Sequence, residues 1–128
     1  MKRLAAEFVG SLSFPDANVS NFQFDPILGT LSCDVEFAKF KKGADSLVTI
    51  ENVRIIVESA KRWKIEVYDH ESKIHTLVKE QYFRHQLKEI AESLISKDEV
   101  VLSGFSSGKG LWTVYKFENA KFSILFEV

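Results

Sequence analysis

The segment Thr76-Leu77-Val78-Lys79-Glu80-Gln81-Tyr82-Phe83-Arg84-His85-Gln86-Leu87-Lys88-Glu89-Ile90-Ala91-Glu92-Ser93-Leu94-Ile95-Ser96 breaks the two-residue rhythm that runs through the rest of the chain. Its apolar residues Phe83, Leu87, Ile90, Ala91, Leu94 and Ile95 recur largely at steps of three and four, which marks one buried helical stripe. Lys79, Glu80, Lys88, Glu89 and Glu92 fall on the wet side, and Lys88 with Glu92 makes an i, i+4 pair of opposite charge. Thr76 can serve as the N-cap. The spacing predicts an amphipathic helix over about residues 76–96.

On either side of this segment the alternation is that of strands. Leu31, Cys33, Val35 and Phe37 point one way, and Ser32, Asp34, Glu36 and Ala38 the other, as in a half-buried antiparallel strand. Leu47 to Glu58 reads as a long strand whose parity changes at Glu51-Asn52, where a bulge would keep both halves facing the core. Trp63, Ile65 and Val67 mark another strand, with Glu66 and Tyr68 on its outer side. Phe8 to Phe14 also alternates and predicts a strand, as do the short runs around Phe22 and Phe24 and around Val100 and Leu102. Leu111 to Phe117 and Lys121 to Val128 close the chain as two more. Pro15-Asp16, Asp25-Pro26, Gly29, Lys41 to Asp45 and Asp69 to Lys73 supply the turns. Residues 49–57 and 116–124 echo each other around a shared Glu-Asn dipeptide, which suggests two similarly bent strand segments. The expected fold is α+β: a mostly antiparallel sheet of about eight strands, strongly bent or two-layered, with the single helix packed on it.

With 128 residues, 45% of them apolar and 12% aromatic, the chain is long enough for one domain, residues 1–128, with a substantial core. Seventeen basic residues against eighteen acidic ones leave a net charge of −1, which argues against direct binding of nucleic acid through phosphates. Cys33 is the only cysteine, so neither an intrachain disulfide nor a cysteine-based zinc site can form, and a reducing compartment is favoured. The N-terminus opens with Lys2-Arg3, but Glu7 interrupts the apolar run that a secretory signal needs. No run approaches the roughly 18 apolar residues of a membrane helix. The expected setting is the cytoplasm, and Met1 reads as a natural start.

No catalytic motif is present. His70, His75 and His85 lack metal-ligand spacing, and Cys33 sits among inward positions, as a small buried hydrophobe does. The loop from Gly104 to Gly110 is rich in glycine, but it leads into a strand and does not end in the Gly-Lys-Ser/Thr of a phosphate loop. No metal or other cofactor is expected. Two basic-aromatic runs, Lys39-Phe40-Lys41-Lys42 and Lys61-Arg62-Trp63-Lys64, could stack a base, but acidic neighbours oppose a phosphate backbone. Those neighbours are the more suggestive set. If their strands lie side by side, Asp34, Glu36, Glu66 and Tyr68 form an acidic, partly aromatic face suited to a basic partner, with Trp63 and Trp112 as core or rim anchors.

The run Leu102-Ser103-Gly104-Phe105 followed by Leu111-Trp112-Thr113-Val114-Tyr115-Lys116-Phe117-Glu118-Asn119-Ala120-Lys121-Phe122 resembles small immunity proteins of bacterial polymorphic-toxin systems, including contact-dependent growth inhibition. Trp63-Lys64-Ile65-Glu66-Val67-Tyr68-Asp69 shares that character. The resemblance spans about half the chain and carries no site residues with it. It implies a cytoplasmic, non-catalytic inhibitor that binds a cognate toxin domain, often a basic nuclease, and occludes its active site. The alternative is a small-ligand domain with an apolar pocket between curved sheet and helix, lined by some of the eleven phenylalanines.

Overall fold

A computed structural model describes residues 1–106 and 111–127. The chain is mostly antiparallel sheet, with eleven strands among the described residues. They are β1 (Lys2–Arg3), β2 (Ala17–Asp25), β3 (Thr30–Lys41), β4 (Leu47–Glu58), β5 (Arg62–Asp69), β6 (Ile74–Leu77), β7 (Glu89–Ile90), β8 (Glu92–Ile95), β9 (Glu99–Phe105), β10 (Leu111–Glu118) and β11 (Lys121–Phe126). Two sheets result, of order β1-β11-β4-β3-β2-β7 and β6-β5-β10-β9-β8. The only α-helix among the described residues is α1 (Ala6–Val9).

The helix expected over residues 76–96 does not form. The segment supplies β6, a 3-10 turn at Tyr82–His85, β7 and β8. Gln81 takes a left-handed φ of 53°, which no continuous helix tolerates. Two open sheet edges then claim the backbone. Glu89 and Ile90 pair with β2, and residues 92–95 pair with β9. Between them the amide of Lys88 donates to Phe105 O at 2.9 Å while its own carbonyl accepts from Val19 N at 2.9 Å. The segment therefore runs from one sheet to the other and closes that side of the molecule. Leu87 and Ile90 are buried as a helical stripe requires, but Phe83 and Leu94 are exposed. Ladder bonds to two waiting edges outweigh a helix that has no strong cap.

Phe8 to Phe14 also departs from expectation. It begins inside α1 and joins the sheet only through an isolated bridge from Ser13 to Lys39. Leu12 and Phe14 still reach the core.

The β3–β4 pair matches its pattern closely. Leu31, Cys33 and Val35 face inward opposite Val57, Ile55 and Val53. Beyond that point the buried positions become Ala38 and Phe40 on β3 and Ile50 on β4. Both strands change parity at the same level, so the register is preserved, and Phe37 is only half-buried. Asn52 absorbs the change with φ 52°, and Asn119 in the echoed dipeptide has the same φ. Asparagine visits the left-handed region more readily than most residues. At Asn52 the strand bends, and at Asn119 the chain leaves β10 in one sheet for β11 in the other. β4 passes into β5 beside it, with the Lys61 amide donating to Glu118 O at 3.0 Å. Strands that change sheet at a bend form the corners of packed sheets.

Both sheets share one core. Half-buried Phe24 from β2 packs against its edge, with the rings of Trp63, Tyr82, Tyr115 and Phe117 between 4.9 and 6.2 Å away. Tyr115 and Phe117 are fully buried, and the Tyr115 hydroxyl donates to His85 O at 2.8 Å. Gly104 on β9 lets β7 lie against it, because a Cβ there would collide with the carbonyl oxygen of Glu89.

Candidate protein-binding surface

The expected acidic face does not form as one surface. Asp34 and Glu36 belong to β3 and Glu66 and Tyr68 to β5, strands in different sheets with inward neighbours that meet in the shared core. Trp63 is a core-edge residue. Its Nε1 donates to Pro26 O at 3.2 Å, and its ring meets Phe24 and Tyr82. Trp112 is half-buried and stacks edge-on with the exposed Phe105 at 5.3 Å.

On β5, Glu66 is already engaged. Lys64 Nζ lies 2.8 Å from one oxygen and His75 Nε2 lies 2.6 Å from the other. The hydrogen bond from Lys64, assisted by His75, holds this carboxyl below its ordinary range. Asp34 is similarly occupied. Arg54 Nε donates to it at 2.9 Å and Asn21 Nδ2 at 2.7 Å, and those two bonds hold its carboxyl low. Asn21 reaches it from an irregularity in β2, with φ 50° and a register shift between Ser20 and Gln23. Bulges of this kind re-aim side chains.

Glu36, two residues along, meets a different environment. Its Oε1 accepts the amide of Asn18 at 3.1 Å. Glu89 on β7 interacts with it and with Asp16, which has φ 53° in the turn before β2. Partial burial first, then Asp16 and then Glu36 push the Glu89 carboxyl above its ordinary range. Among the described residues none of the three has a basic partner within ion-pair distance. The site is therefore a corner built from the β2 turn, β3 and β7. An open depression of about 440 Å³ runs from it across the outer face, past Asn18, Ser20, Asp34, Asn52 and Arg54.

Asp16 and Glu89 were not among the residues expected to bind. Pro15-Asp16 read only as a turn, and Glu89 was placed on the wet side of a helix. Only the pairing of Ala17 with Ile90 and of Asn18 with Glu89 brings them together.

The remaining groups with chemical potential are quiet. Cys33 is buried, and burial followed by the Asp34 charge pushes its thiol up to about 12. Such a thiol is not a nucleophile near neutral pH. Burial, then Arg84, lowers the His85 imidazole, whose Nδ1 is enclosed with no hydrogen-bond partner among the described residues. Among the described residues no group of three metal-ligating side chains converges, and no helix is long and apolar enough to cross a membrane. Phe40 is buried, so the Lys39-Phe40-Lys41-Lys42 run offers no stacking ring. Residues 107–110 of the glycine-rich loop and the last residue of the expected final strand, Val128, lie outside the described residues. Comparison with protein-family models, with curated proteins and with solved structures finds no match for the chain.

Proposed function

We propose that the chain is a cytoplasmic, non-catalytic binding protein that neutralises a cognate toxin domain by covering its active site. The observation that carries this reading is the acidic corner, beside a core closed by aromatic side chains. Between the sheets Tyr115 and Phe117 are fully buried, half-buried Phe24, Trp63 and Tyr82 pack on them, and residues 76–96 offer no helix to wall a pocket. The chemistry left over is on the surface. There the corner of Asp16, Glu36 and Glu89 offers uncompensated negative charge on a rigid scaffold, which suits a basic partner and speeds encounter with it. Asp34 with Arg54, and Asn18 beside them, would form the polar rim of the contact.

The test begins with capture from a lysate of the source organism, using the whole chain as bait. The expected result is one stoichiometric partner that arrests growth when expressed alone and is tolerated when co-expressed with this chain. Glu36→Lys with Glu89→Lys should then abolish the rescue, while Glu66→Lys in the other sheet should leave it intact. A partner without toxicity, or a rescue indifferent to the corner, would refute the proposal.

A further inference from the structure

A second surface, which shares no residue with the acidic corner, forms a groove. Residues of β1, α1, the β8–β9 turn and β11 line this groove of about 630 Å³. That volume lies within the range of about 300–1,000 Å³ typical of ligand sites. Val9, Ile95 and Phe122 are among the apolar residues that line it. Three cations, Arg3, Lys97 and Lys121, line it, and no carboxylate does. Among the described residues none of the three pairs with a carboxylate, although the chain as a whole carries a net charge of −1. They come from three separate segments that only the fold assembles: β1, the turn after β8 and the start of β11. The groove beneath β6 offers a useful contrast, because Asp69, Lys79 and Glu80 line it with mixed charge and specify no ligand.

A groove with apolar side chains and three cations in its lining, only Lys121 of which faces a carboxylate across a ladder (Glu58), suits one ligand chemistry. We propose that this groove binds a single-chain amphipathic anion, its hydrocarbon body on Val9, Ile95 and Phe122 and its carboxylate or phosphate head among Arg3, Lys97 and Lys121. Burying the chain supplies most of the affinity. The head supplies selection, since a neutral head leaves the cations unpaired and a cationic one is repelled. The groove shares no residue with the acidic corner, so the two proposals stand or fall separately.

The test titrates the whole protein with dodecanoate, dodecanol and acetate, followed by calorimetry and by backbone amide shifts. Dodecanoate should saturate at one per chain, with the largest shifts at residues 95–97 and 120–123. Dodecanol should bind at least about tenfold more weakly, and acetate should not saturate. Lys97→Glu with Lys121→Glu should weaken dodecanoate by about tenfold or more, and added salt should weaken it in the unaltered protein. Gly10 lines the groove, and a Cβ there meets nothing within 4 Å, so Gly10→Trp adds bulk at the groove and should weaken binding on its own. Dodecanol binding equal to dodecanoate, affinity unchanged in both variants, or no saturation at all would overturn the proposal. Association with phosphatidylglycerol vesicles without binding of free dodecanoate would also overturn it, by assigning the cations to a membrane surface.

Discussion

Asp34 and Glu36 lie two residues apart on one strand, yet they belong to different electrostatic regions. The middle of the outer face is compensated. Arg54 and Asn21 hold Asp34, just as Lys64 and His75 hold Glu66 on the opposite sheet. The β7 end of the same face brings three carboxylates together, and among the described residues none of them has a cation within ion-pair distance. Compensated pairs serve the fold and need no partner. A like-charge corner is kept at some cost in stability, and that cost is what a basic partner would relieve.

The largest expected effect is on the wedge that creates the corner. Gly104→Ala drives a Cβ into the Glu89 carbonyl, and a backbone obstacle cannot swing aside. Urea denaturation should show a loss of about 3 kcal/mol, near the upper end of overpacking costs. An unchanged midpoint would mean that β7 does not lie against β9 as described. The two charged regions should next respond with opposite signs. Asp34→Asn removes an exposed ion pair and should destabilise by roughly 0.5–1 kcal/mol. Glu36→Gln with Glu89→Gln keeps the acceptor for Asn18 and removes repulsion, so it should stabilise by up to about 0.5 kcal/mol. If both variants destabilised equally, the distinction between the regions would fail.

The smallest effect lies in the dependence on pH, where the signs again oppose. The Asp34 carboxyl is lowered in the folded state from an ordinary value of 3.8, so its contribution is present above that pH and is lost as pH falls through the folded value. The Glu89 carboxyl is raised from 4.5, so the folded protein holds that proton more tightly than the unfolded chain. Stability should therefore fall as pH rises from about 4.5 toward the raised value. Glu89→Gln should erase that decline and leave the acid-side loss due to Asp34 in place. Stability curves for the two proteins between pH 3 and pH 7, overlaid, provide the check. Cys33 gives a separate measure of how tightly the sheet is closed. A thiol reagent at pH 8 should label it only after denaturation, and prompt labelling of the folded protein would contradict its burial.

How much of this the chain revealed in advance depends on where the hydrogen bonds go. β4 was legible from end to end, and so was the parity change at Asn52, because alternation on a half-buried strand is written in the side chains themselves. The matching change on β3 was missed, since Phe37 looks like an inward residue until Ala38 and Phe40 are seen opposite Ile50 and Val48. The echo of Glu51-Asn52 in Glu118-Asn119 was visible. That one marks a bend within a sheet and the other a crossing between sheets was not. Of the candidate binding residues, Asp34 and Glu36 were read correctly as outward. Their division into paired and unpaired depended on Arg54, Asn21, Asp16 and Glu89, which lie 13 to 53 residues away in sequence.

Residues 76–96 show where local reading ends. Their apolar spacing fits a helix as well as it fits a chain threading two sheet edges. The tie is broken by open donors and acceptors on β2 and β9, which no local pattern displays. Composition and alternation alone determined a mainly antiparallel protein with a large aromatic core and little net charge, because burial of side chains at a period of two is a local property. Tertiary structure alone decided which carboxylates stand together and which three cations line the groove beside α1, because charge acts across space and the crossing between sheets at Asn119 helps to choose its neighbours.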